Sequence, residues 1–451
     1  MDWKRECFHL KNFNQLIFQN MQLLKLWIGS FMSRKRKYQI NNLLQNFVII
    51  TFLSNTMLFS QENKLSMQLK INPVDSEYFW LEKNNYGIKP SDLNIYTTWK
   101  LNNKKNNYEI NIVGSNKDGG KIYIGETYIK HNFSDKTFLR AGKYYRDFST
   151  YLNDQLSSGN MLISHNAEPM PKIGLVTSQS IKKFSNLSFD FGISHGIFDD
   201  DNDFYTKKPL LHEKFFYMNI IKEKYRISLG LVHEAMWAGG TENLGELPNS
   251  FKDFLKVFIS EDGPWLEGER HANALGNHLG IWDFSFQKHN EDQVLKLYYQ
   301  HFFEDTSGFR FNNKIDGLWG AELKNYIPNT TILIEYIDTT NQDLEPPHID
   351  AYYWNYQYQT GWSYNNYTIG NPFLDHSLII NPFKVFHIGI NGEISSNYYE
   401  IKLSKRIDIS DDFKYKIQFG KIINNRLSFS AFIANQNNNH GFGVILNRSI
   451  F

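Results

Sequence analysis

The chain has 451 residues, a formal charge of +1 and 16% aromatic residues, yet its mean hydropathy is −0.48. So many rings on so polar a chain do not suit a soluble enzyme built around an aliphatic core, and no basic excess invites nucleic acid. No apolar run reaches about eighteen residues, the length of a helical span, and the lone Cys7 leaves no intrachain disulfide.

Residues 1–60 read as an address. Arg34-Lys35-Arg36-Lys37 precedes an apolar stretch from Phe47 to Phe59, and Ser60-Gln61-Glu62 supplies a small residue and a polar restart. This is the order of a secretory signal, with cleavage expected at Ser60 and Gln61. Met32 makes a sensible start, and an uncleaved anchor is the alternative. Residues 61–451 then form one unit, with 40 basic against 45 acidic residues and a net charge of about −5. A body free of cysteine fits export through an oxidising periplasm.

From Leu65 onward the sequence alternates apolar and polar residues. Leu65, Met67, Leu69 and Ile71 interleave with Ser66, Gln68, Lys70 and Asn72; Leu93 to Leu101 repeats the pattern, as do Leu187–Ile193, Tyr225–Leu231, Trp282–Phe286, Tyr399–Leu403 and Phe413–Phe419. A period of two means extended strands. A soluble sandwich also alternates, but it needs an apolar core shared by two sheets. A membrane barrel needs none, because one face meets lipid and the other water. Short polar turns near Asn103–Asn106, Phe133–Lys136, Lys183–Asn186, Glu223–Lys224, His289–Glu291, Ile327–Asn329 and Asn424–Asn425 take turns with longer segments at 145–167, 195–213, 236–275, 303–315 and 340–378. Tight periplasmic turns and long external loops have this rhythm. The prediction is an all-β fold: a transmembrane antiparallel β-barrel of about eighteen strands in the outer membrane of a Gram-negative cell, both ends in the periplasm. Its outer face makes outer-membrane lipid and lipopolysaccharide its surroundings. One helix is expected, about Ser250 to Ile259, and a bulge near Asn447, where Arg448 interrupts the last strand. The terminal Phe451 resembles the signal read by the barrel-assembly machinery.

Several segments resemble the capsule-assembly Wzi family of outer-membrane proteins. They are Phe79–Gly87, Leu156–Lys172, Leu211–Lys214, His278–Asp283, Tyr299–Gly308 and Gly361–Pro372, in order along the barrel. The resemblance implies a monomeric eighteen-stranded barrel acting as a lectin that holds capsular or a related surface polysaccharide. Some members carry a periplasmic helical bundle, for which no counterpart is evident.

A sugar offers an apolar C–H face and a rim of hydroxyls, so a binder sets aromatic rings beside Asp, Glu, Asn, Arg or His. The long loops hold such mixtures. The candidates are Trp237, Glu246, Trp265, Glu267, Glu269 and Arg270 in one loop, Asp305 and Arg310 in the next, and Tyr353, Trp354 and Trp362 in the last. Rings near strand ends also serve as interface girdles, and loops of large barrels fold inward as packing. Gly361–Pro372, with its turn residues, reads as such a fold-in.

Catalytic signals are weak. His212-Glu213 and His233-Glu234 lack the helical spacing of a zinc site. Ser164-His165 has no nucleophile elbow. Asp199-Asp200-Asp201 reads as a solvated loop, with weak calcium binding as the sharper alternative. Glu267 and Glu269 share a face of an extended segment, without the separation a glycosidase needs being evident. No phosphate-binding glycine loop occurs, and no cofactor or metal is implied. A binding barrel is favoured, a porin-like channel for small solutes or oligosaccharides is the alternative, and an enzyme is not expected.

Overall fold

The computed structural model describes residues 62–72, 78–181, 183–264, 274–304, 309–342, 352–376, 382–409, 412–436 and 439–450. Residues 1–61, with the expected signal and its cleavage site at Ser60 and Gln61, lie outside them. So do Trp265, Glu267, Glu269, Arg270 and Asp305.

Eighteen antiparallel staves close into a barrel. They are β1 (Glu62–Ile71), β2 (Leu93–Asn102), β3 (Asn106–Ser115), β4 in two pieces (Lys121–Ile124 and Thr127–Ser134), β5 (Thr137–Tyr144) and β6 (Met170–Ser180). Then follow β7 (Leu187–Ile197), β8 (Leu210–Lys222), β9 (Tyr225–Trp237), β10 (Asn277–Asn290), β11 (Gln293–Phe303) and β12 (Gly317–Lys324). The circuit ends with β13 (Thr330–Asp338), β14 (Lys384–Ile394), β15 (Asn397–Arg406), β16 (Phe413–Asn424), β17 (Leu427–Gln436) and β18 (Asn439–Ser449). Each stave pairs with its neighbours in sequence, and β18 pairs with β1 to remove the free edge. Connections such as 223–224, 291–292, 395–396 and 425–426 are tight at one end, while 145–169, 198–209, 238–276 and 339–383 are long at the other.

The expected bulge at Asn447 is absent. β18 keeps unbroken register through Asn447 and Arg448 with both β17 and β1. Arg448 simply takes an outward position near the short-turn end, where a long cationic side chain reaches the headgroups. Register shifts occur instead at Asn132/Ser134 and Ile422/Asn424.

The two faces of the wall differ as the alternation requires. On β8 the inward Leu211, Glu213, Phe215, Tyr217 and Asn219 are buried, whereas the outward Phe216 is 48% exposed. On the outer face Tyr299 stacks on Trp319 with centroids 3.7 Å apart, and Trp319 pairs across to Tyr336. These rings near the long-loop end, with Trp99, Tyr108, Tyr225 and Tyr399 near the other, form the two interface girdles.

The lumen is filled by protein. The largest apolar cluster joins wall residues Leu211, Val232, Leu279, Phe302, Ile337 and Val385 to loop residues Phe148, Met161, Tyr353, Tyr358, Trp362 and Tyr364. A short helix, α1 (Phe79–Glu82), also dips inward and packs on β16 and β17. The expected helix is present as α2 (Phe251–Ile259), with Ser250 and Asp253 forming a capping box.

Candidate functional site

The plug grows from three chain segments that are far apart in sequence. Tyr86 N–H donates to His165 O at 2.7 Å and Gly87 N–H to Asn166 O at 3.0 Å. Ser164 N–H donates to Ile369 O at 2.8 Å, and Asn166 Nδ2 to Thr368 O at 2.8 Å. Asn371 Nδ2 donates to Gly159 O at 2.7 Å, and Asn84 Nδ2 to Ser158 O at 2.7 Å. A loop buried in a lumen cannot turn its backbone to water, so short Asn and Ser side chains must satisfy it. Gly361 makes one turn of this fold-in at φ +60°, where an added Cβ would stand 2.2 Å from Tyr353 O.

Inward carboxylates on the wall hold the plug. Glu335 accepts from Ser157 Oγ and from Ser158 N–H, both at 2.6 Å, and from the Tyr298 hydroxyl. Asp283 accepts from Tyr217 Oη at 2.5 Å and from the hydroxyls of Ser149 and Tyr151. Within the plug, Arg146 donates to Asp154 at 2.6 Å and to Ile163 O at 3.0 Å. Burial works to raise the Asp154 carboxyl, but Arg146 and His165 outweigh it and hold it below its ordinary value. Burial pushes His165 down to about 4, against the pull of Asp154. The neutral ring packs 4.3 Å from Tyr145 and 5.1 Å from Tyr86.

Sequence reasoning missed the plug-holding roles of Asp283, Glu335 and Gln300, which accepts from Met161 N–H at 3.0 Å, and the Arg146–Asp154–His165 group. The available signal was a lone carboxylate at a mid-strand inward position, facing a Ser/Asn-rich loop. Beneath the plug, toward the short turns, a cavity of about 210 Å³ is bordered by Asp147, Tyr151, Asp190, Tyr217, Asn219 and Arg226.

Above the plug, three short strands, Tyr205–Lys207, Gly240–Thr241 and Gly245–Glu246, form a small sheet at the rim. It abuts segment 352–364. Tyr205 Oη lies 2.8 Å from Thr360 Oγ1, and Tyr358 Oη donates to Ala238 O at 3.1 Å. Of the sequence candidates, this brings exposed Glu246, ion-paired to Lys207, to the same rim as half-buried Trp354. Tyr356, also a loop ring, is 37% exposed there. Tyr353 and Trp362 are fully buried in the plug, the Tyr353 hydroxyl bonded to Met161 O. Trp237 points outward from β9 and packs 5.4 Å from Phe254 of α2. Arg310 is exposed between Phe309 and Phe311, whose rings lie against Trp282 on the outer wall.

The His-Glu pairs are split by the wall. Glu213 and Glu234 face the lumen, while His212 and His233 face outward beneath α2. Period two makes this unavoidable for neighbours in a strand. Asp199 accepts from the Tyr364 hydroxyl and Asp200 from Asn365 N–H, so both fasten the plug. Among the described residues no group of three or more His, Cys, Asp or Glu is placed to hold a metal.

The sequence profile of the family described as "Capsule assembly protein Wzi" matches residues 81–377. The chain belongs to the capsule-assembly Wzi family. The match runs from within α1 to the last segment of the plug and takes in most of the wall between them. Among solved structures the chain is similar to Wzi of Escherichia coli, an outer-membrane protein involved in group 1 capsule assembly and described as a carbohydrate-binding β-barrel. The TM-score is 0.57 at 11% identity, covering 92% of this chain and 89% of that one. OprD of Pseudomonas aeruginosa (TM-score 0.40, 9% identity, 87% and 95% covered) and OccAB4 of Acinetobacter baumannii (0.40, 11%, 87% and 98%) also match. No curated protein sequence matches. The Wzi barrel architecture and the lipid-facing wall place the protein in the outer membrane.

Proposed function

We propose that this barrel is a surface lectin that anchors capsular or a related exopolysaccharide with its external rim. The observation that carries the reading is the plug: residues 145–169 and 352–376 occupy the lumen through an apolar core and buried carboxylate bonds, which suits a rigid platform better than a conduit. Family membership and the carbohydrate binding described for the Escherichia coli barrel support it. The split His-Glu pairs support binding over catalysis.

The sugar site we assign is the rim patch of Trp354, Tyr356, Glu246 and Lys207. It puts the half-buried Trp354 and the exposed Tyr356 on the same rim as an exposed ion pair. Arg310, Trp265, Glu267, Glu269, Arg270 and Asp305 are proposed as further sugar contacts on the chemistry of their side chains alone. Tyr353 and Trp362 act from below by fixing the loop that carries Trp354.

Detergent-purified protein is expected to bind acidic and neutral bacterial polysaccharides on a glycan array. Trp354→Ala with Tyr356→Ala should weaken that binding about tenfold, the loss of about 1.4 kcal/mol of stacking, while heat-modifiable gel migration stays unchanged. Binding that survives the double substitution places the sugar elsewhere, and no binding by the parent protein removes the lectin reading.

A further inference from the structure

The inward and outward positions of β7 to β10 show on which side α2 lies. His195, His212, Lys214, His233, Ala235, Trp237 and His278 alternate with the lumenal Leu211, Glu213, Val232, Glu234 and Leu279, so they face away from the lumen. The helix packs on this outer face. Phe254 lies 5.2 Å from His195 and 5.4 Å from both His212 and Trp237, and Val257 is fully buried. Lys214 Nζ donates to Phe258 O, and Ser260 Oγ lies 3.2 Å from His233 Nε2. One loop of the long-loop end thus folds outward over the wall.

Only part of the apolar face of the helix is used in that contact. Phe251 is 75% exposed, Leu255 48% and Ile259 66%, a stripe at i, i+4 and i+8, flanked by Phe258 at 36%. Lys252 and Lys256 border this stripe on the side of Ile259, and Asp253 follows beyond them. The stripe lies beside the lipid-facing wall, whose next rings on β7 and β8 are the cross-strand pair Phe191 and Phe216, 41% and 48% exposed. The helix also closes its own backbone: Ser250 Oγ accepts from Asp253 N–H, and Ser260 and Glu261 N–H donate back to Val257 O and Lys256 O. Lipid-exposed backbone must be self-satisfied in this way.

We infer that α2 is an interfacial helix seated in the outer leaflet, taking lipopolysaccharide as its partner. The acyl chains cover Phe251, Leu255 and Ile259, and Lys252 and Lys256 meet the anionic phosphates. The apolar stripe extends the membrane-facing band of the barrel, and the polar arc carries the cations that an anionic headgroup recognises. The expected partner follows from position: this is the external end of an outer-membrane barrel, and lipopolysaccharide forms that leaflet.

Cys7 is the one cysteine of the chain and lies in the segment expected to be removed, so single labels report cleanly. Full-length mature protein carrying Phe251→Cys, Leu255→Cys or Lys256→Cys, each labelled with an environment-sensitive dye, is reconstituted into phosphatidylcholine vesicles with and without lipopolysaccharide. Heat-modifiable migration verifies folding. Labels at 251 and 255 are expected to be quenched at least threefold more by spin-labelled acyl chains than the label at 256, which iodide reaches from water. Lipopolysaccharide should deepen that contrast at least twofold, and Lys252→Gln with Lys256→Gln in the labelled Leu255→Cys protein should cancel the gain. Equal iodide access at all three positions overturns the seating. A contrast indifferent to lipopolysaccharide overturns the choice of partner.

Discussion

Two long loops leave the same end of the barrel and go opposite ways. Residues 145–169 run into the lumen; residues 238–264 carry α2 over the outer wall. The difference lies in how each satisfies its backbone. The inward loop has little regular structure, and its N–H and C=O groups are met by Asn160, Ser164, Asn84 and Asn371. The outward one forms a capped helix that meets most of its main-chain needs itself, with Lys214 of the wall donating to Phe258 O. Irregular backbone is tolerated where protein surrounds it, and lipid accepts only closed hydrogen bonding. The same barrel end therefore sorts its loops by backbone economy as well as by hydrophobicity.

The largest way to break that contrast is to release the inward loop. Glu335→Ala with Asp283→Ala strands the donors of Ser157, Ser158, Tyr298, Ser149 and Tyr217. Each substitution is expected to cost roughly 3 kcal/mol, since buried donors without acceptors lose about 1–3 kcal/mol apiece. Planar-bilayer recordings should show steady current where the parent barrel shows none. A folded double variant that stays silent breaks the claim that these carboxylates hold the plug, and a conducting parent revives the channel alternative.

A second test sets two tryptophans against each other. Trp362 is sealed in the plug core, whereas Trp237 sits between the outer wall and α2. Trp362→Ala should cost about 3–5 kcal/mol, because a rigid lumen cannot collapse around the void. Trp237→Ala should cost less, about 2 kcal/mol, because acyl chains can enter the space. Urea unfolding in lipid vesicles measures both, and equal losses blur the inside–outside distinction.

The sequence made the barrel readable because period two is a local signal repeated around the circuit. The α2 helix was equally readable from Ser250, Asp253 and the apolar residues that follow. What it hid was direction. Nothing near Ser157 names Glu335, which comes 178 residues later, and nothing near Trp237 says that it faces out. The aromatic candidates were chosen by composition, which does not separate an accessible Trp354 from a sealed Trp362. Parity could have split His212 from Glu213, since strand neighbours always face apart.

Acid offers a gentler handle on the inward loop. His165 titrates at about 4 in the folded barrel, below the ordinary value of about 6.5, because burial disfavours the cation. The unfolded chain therefore takes up the proton first. The stability this neutral ring contributes is complete above about pH 6.5 and is lost as the pH falls through 4, on the order of 2–3 kcal/mol. Asp154, held below its ordinary value, adds a loss at still lower pH. Hydrogen exchange of the amides from 161 to 166 should accelerate between pH 6.5 and 4, after correction for intrinsic rates, and His165→Phe should remove that step. The amides of α2 should show none over the same range if the response belongs to the plug.

The smallest effect belongs to the outward loop. Ser250 Oγ accepts from Asp253 N–H at 3.2 Å, and the Asp253 carboxylate accepts from Ser250 N–H at 2.9 Å. Ser250→Ala removes the first bond and should cost about 1 kcal/mol. The loss ought to stay local, because Val257 and Phe254 still clamp the helix to the wall. Exchange at residues 251–253 should rise several-fold while the plug amides keep their protection. Should Ser250→Ala instead loosen the plug, the two loops act as one cooperative unit, and their separation by backbone economy fails.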